Sequence, residues 1–185
     1  MATANWQTDQ PTNLNYLSPV NFDLQINKLP QTKYFCTGVT LPGVVFSEAL
    51  HSLPLAINSY LPGDKIEFDP LNVKFLVDED MKNYMEIFNW IMALGPGSDE
   101  GDFQNLTGSS KNTSGQFSNS DFSKMYSDAT LFANTSSNNA NVEFQFQDCF
   151  PTSVGTLAYT QNATDVDYLT TDVIFKYKLY EIVKL

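Results

Sequence analysis

Arginine is missing from this 185-residue chain: its ten basic residues are all lysines, set against 21 aspartates and glutamates. The net charge is −11. Phosphate backbones are held by basic patches and by the two-pronged fork of arginine, so a chain with this balance repels nucleic acid. Histidine occurs once, at His51, which removes His-dependent triads and multi-histidine metal sites. The two cysteines, Cys36 and Cys149, make neither a disulfide framework nor a CxxC pair. They read as small buried apolar residues, with a disulfide between them left open. No apolar run approaches the roughly 20 residues needed to span a bilayer. The opening "MATANWQTDQPTNLNYLSP" has no basic n-region and no apolar h-region, so no signal peptide is expected. In a chain rich in Asn, Ser and Thr, the Asn-x-Ser/Thr matches at Asn105, Asn112, Asn134 and Asn162 are expected by chance.

The motifs of catalysis and cofactor binding are equally scarce. "DED" at 78–80 lacks the spacing and the glycine of a calcium loop. "GPGSDEG" has glycines without a phosphate-loop pattern. No carboxylate pair stands out for glycoside chemistry. The expectation is therefore no catalytic residue, no cofactor and no metal ligand.

What is present is a core. Apolar residues make up 42% of the chain and aromatics 14%, enough for one domain over 1–185 and favourable to strands. "NFDLQIN" alternates, with Phe22, Leu24 and Ile26 on one face. "KYFCTGVTLP" reads as a second strand, and "VVFSEALHSLPLAIN" as a weaker edge strand broken by Pro54. "LPGDKIEFDPLNVKFLVD" opens on a Pro-Gly turn and gives two short strands or one bent one. "DATLFAN" and "NVEFQFQDCFP" form a hairpin around "TSSNNA", with Val142, Phe144 and Phe146 inward.

Between these strands the apolar period changes from two to 3.6, with Met81, Tyr84, Met85, Phe88, Ile91 and Met92 recurring at helical spacing. The spacing predicts one helix over 79–94, capped by Asp78 and ended by Gly95-Pro96-Gly97. Its apolar face is wide, extended by Ile87, Trp90 and Leu94, and Met81, Tyr84, Phe88 and Ile91 are its expected core-facing residues. Residues 1–18 read as a polar arm and 95–126 as a long Gly/Ser/Asn loop. Phe103, Phe117 and Phe122 in that loop are candidate anchors on a neighbouring chain. The last strand, "TTDVIFKYKLYEIV", places Val173, Phe175, Tyr177 and Leu179 on one face. Ile174, Lys176, Lys178, Tyr180 and Ile182 lie on the other. That second face is still half apolar, which makes Ile174, Tyr180 and Ile182 further inter-subunit candidates. From composition and pattern alone this is an acidic, mainly β domain with one helix, binding or structural rather than catalytic.

Two stretches, "FDPLNVKFLVDEDMKNYMEIFNWI" and "FQDCFPTSVGTLAYTQNATDVDYLTTDVIFKYKLY", occur in that order behind an opening strand ending in "LPG". Together they resemble the tail-tube family of contractile-tailed, T-even-type bacteriophages, over about residues 14–94 and 127–183. The resemblance implies an antiparallel β-barrel or β-sandwich with one flanking helix and a long inserted loop. It also implies six-fold rings that stack into a hollow tube, with sheath and baseplate proteins as partners. The virion would be its location, with assembly in the host cytoplasm and no membrane insertion by this chain. DNA would pass through the lumen without specific binding: 6 × −11 gives −66 per ring, a charge unsuited to gripping phosphates. A baseplate tube initiator, or junction subunit, shares the fold and is the alternative within the family. A carbohydrate- or protein-binding β-sandwich is the alternative from another class, distinguished by its failure to polymerise.

Overall fold

A computed structural model describes residues 14–30, 32–52, 58–95, 125–161 and 168–185. The elements run β1 (Phe22–Ile26), α1 (Thr32–Phe35), β2 (Cys36–Thr40), β3 (Val44–Ser52), β4 (Asn58–Phe68) and β5 (Leu71–Leu76). After these come α2 (Lys82–Leu94), β6 (Ser127–Asn134), β7 (Ala140–Val154), β8 (Thr170–Lys176) and β9 (Leu179–Lys184). The class is mainly antiparallel β. The stretch read as a strand from Lys33 begins instead with the single helical turn α1, and pairs only from Cys36 onward.

Seven strands form one sheet in the order β1-β6-β7-β8-β5-β2, with β9 also paired to β7. The path ends at β1 and β2 without joining them, so among the described residues the expected barrel is not closed. The sheet instead bends back on itself. Its hinge is the 15-residue strand β7, whose first half pairs with β6 and β9 and whose second half pairs with β8. At Asp148, where β7 turns the corner, the backbone adopts φ 55°. Its N–H donates to the Asp128 carboxylate at 3.2 Å. The strand expected to run unbroken from 170 to 183 breaks at the same level, between β8 and β9, where the Lys178 N–H donates to the Gln147 carbonyl at 3.0 Å. A bulge that bends one strand forces its partner to bend too, and such corners fold one sheet into two facing layers.

Period-two alternation fills the space between the layers. Leu24 and Ile26 of β1 and Phe144 and Phe146 of β7 face Leu71, Val73 and Phe75 of β5, with Val173 and Phe175 of β8. Helix α2 packs against β7. It buries Asn83, Ile87, Trp90 and Ala93, spaced at four, three and three residues as one helical face requires. This corrects the sequence expectation in two ways. Helix formation begins at Lys82, with Met81 in the left-handed region as the flanking residue, so Asp78 does not cap it. The buried face is also rotated away from Phe88, which is 45% exposed; Met81 and Tyr84 are half-buried, and Ile91 is half-buried against the core.

Polar chemistry fixes the entry to α2. Asn83 is fully buried; its amide nitrogen donates to the Leu76 carbonyl at 2.7 Å, at the end of β5. Its oxygen accepts from the N–H of Asp78 at 3.2 Å and of Tyr84 at 2.8 Å. One side chain thus satisfies both the departing strand and the first turn of the helix, groups that otherwise have no backbone partner. The exit is tied just as closely. Gly95 N–H bonds to the Ile91 and Met92 carbonyls, and the Trp90 indole N–H donates to the Met125 carbonyl at 3.1 Å.

Candidate functional site

Strands β3 and β4 stand apart from the seven-stranded sheet as a two-stranded ribbon. Its base is fastened to the body. Asp69 N–H donates to the Gly43 carbonyl at 3.1 Å, closing the two ends of the ribbon. The Tyr177 hydroxyl donates to the Asp69 carbonyl at 2.8 Å, and the Tyr180 hydroxyl to the Pro42 carbonyl at 3.3 Å. Between them the Phe68 ring sits 6.0 Å from Tyr177 and 5.6 Å from Tyr180, with Phe146 beneath both tyrosines. Edge-on aromatic packing of this kind adds to simple burial. Burial pushes the Tyr177 hydroxyl up to about 12, with Tyr180 and Asp69 adding to the shift.

Midway along, the ribbon changes register: Phe46 pairs with Ile66, but Glu48 pairs with Pro62. The Pro62-Gly63 expected as a turn lies inside β4, at this irregularity. A Cβ on Gly63 would fall 2.3 Å from the Ser47 hydroxyl and 2.7 Å from its carbonyl oxygen, so only glycine fits. The Ser47 hydroxyl also accepts the Lys65 N–H at 3.0 Å, fixing the offset.

Beyond its base the ribbon is apolar on both sides. Directly opposed residues share a face and successive pairs alternate, so Ala49 and Leu61 occupy one side and Leu50 and Tyr60 the other. Val44, Val45, Phe46, Leu50, Tyr60, Leu61 and Ile66 are each between 50% and 65% exposed. Divided between the two sides, they present on the order of 600 Å² of largely apolar surface. The principal contacts of β3 and β4 are with each other. A two-stranded ribbon is marginal in water without a covered face, so this one is built to be covered.

A second apolar surface lies on the outside of α2, where Met85, Phe88 and Met92 are exposed at helical spacing. Of the inter-subunit candidates on the last strands, Ile182 is exposed and Ile174 half-buried. Tyr180 turns inward against Phe68 and Phe146, because the break after β8 shifts the alternation. Phe103, Phe117 and Phe122 lie outside the described residues, as does 96–124 of the long loop and 1–13 of the arm. The ribbon itself escaped the sequence reading. Its signal is the run Val44-Val45-Phe46 followed by Leu50, Tyr60 and Leu61, apolar at both parities where a half-buried strand would alternate.

Catalytic geometry is thin. Among the described residues no three His, Cys, Asp or Glu side chains gather as metal ligands. No described helix is long and apolar enough to cross a membrane. A 510 Å³ open groove beside β6 and β7 is lined by Asp128, Glu143 and Asp148 with polar neighbours. Burial pushes the thiols of Cys36 and Cys149 up to about 11 and about 12, away from nucleophilic use.

The fold has counterparts among contractile injection machines. The tube-terminating cap of the anti-feeding prophage aligns over 100% of both chains with a TM-score of 0.61 at 13% identity. A chain of the PVC sheath-tube complex in its extended state aligns over 100% of both chains, with a TM-score of 0.51 at 13% identity. The PVC sheath/tube terminator gives 0.55 at 12% identity, over 92% of this chain and 99% of the other. At these identities the likeness is one of fold. No curated protein sequence matches the chain. The profile of the phage tail tube proteins, however, matches residues 5–183, and with nearly the whole length covered, the chain belongs to the phage tail tube protein family.

Proposed function

We propose that this chain is the main tube subunit of a T-even-type contractile tail. Six copies form a ring, rings stack into a hollow tube inside the sheath, and DNA leaves through the lumen. The observation that carries the reading is the β3–β4 ribbon, fastened at its base and apolar on both faces. Exposed apolar surface on a projecting ribbon favours contact with another chain, and a polymer buries it in every copy. The charge supports the conduit role: a net −11 per chain disfavours a ring that grips passing phosphates. Family membership supports a structural rather than catalytic role and a place in the virion, alongside sheath and baseplate proteins.

Negative-stain microscopy of the purified protein, paired with sedimentation velocity, tests this. Rings of six or tubes are the expected result. A protein that stays monomeric or trimeric at high concentration, and is retained on immobilised glycans, would instead be a binding module.

A further inference from the structure

We draw no further inference here: the strongest candidate, the exposed stripe of Met85, Phe88 and Met92 on the outer side of α2, is an unpartnered apolar face, and nothing in the structure shows what covers it.

Discussion

Replacing Asn83 with alanine removes three hydrogen bonds from one buried point. The amide donates to Leu76 and accepts from Asp78 and Tyr84, at 2.7, 3.2 and 2.8 Å. At a net contribution of about 1 kcal/mol per bond the loss starts near 3 kcal/mol. The Leu76 carbonyl and Tyr84 N–H then remain under the helix without partners, which brings the total to about 3–5 kcal/mol. That is a large share of the 5–15 kcal/mol that holds an ordinary domain together. Urea unfolding followed by far-UV circular dichroism reads it. The midpoint should fall by roughly 1.5–2.5 M with the slope unchanged, for a slope near 2 kcal/mol/M. Asn83→Leu keeps the branched shape without the polar atoms and adds bulk at a buried site, so it too should lose stability. A loss below about 1 kcal/mol in both variants would refute the argument and place the stability of the strand-to-helix turn elsewhere.

Truncation of neighbours on α2 should give opposite results: Ile87→Ala, at a fully buried site, costs about 2–5 kcal/mol. Phe88→Ala, on the exposed side, shifts thermal unfolding little. Gly63→Ala forces Ser47 and the ribbon apart, so sedimentation should show assembly lost while calorimetry shows the body unfolding within a few degrees of the parent. The pH profile has a definite sign. The thiols of Cys36 and Cys149 and the Tyr177 hydroxyl sit at about 11, 12 and 12 when folded, against ordinary values of 9.0, 9.0 and 10.0. The folded state keeps protons that the unfolded chain releases, so this stability is whole below pH 9 and drains away as pH climbs from 9 toward 12. Denaturant midpoints between pH 7 and 11 check it, a rising midpoint being the contrary result. Assembly should persist in high salt, which screens repulsion between acidic chains and leaves apolar contacts intact; light scattering against salt concentration measures this.

Where a strand is half-buried, its face was readable in advance. Leu24 and Ile26, Phe144 and Phe146, and Val173 and Phe175 all point inward as their alternation requires. The helix existed where its period placed it, but its buried face could not be chosen from the sequence. Apolar residues occur almost all round α2, and the fold selected Ile87 and Trp90 over Phe88 by contact with β7 and Phe175. A pattern search also passes over Asn83, since a polar residue on the buried face reads as a flaw until its three partners are seen. The corner between β8 and β9 left no mark, because Phe175, Tyr177, Leu179 and Tyr180 continue an apolar series straight through the break. The candidate assembly surface was hardest of all: exposure of apolar side chains is decided by what the rest of the chain leaves uncovered.

The clamp at the end of α2 holds together two points that lie far apart in the sequence. Gly95 is bound to the last turn of the helix and Met125 to Trp90 in that same turn. The body therefore fixes where the chain departs and where it returns: both points are tied to one turn of one helix.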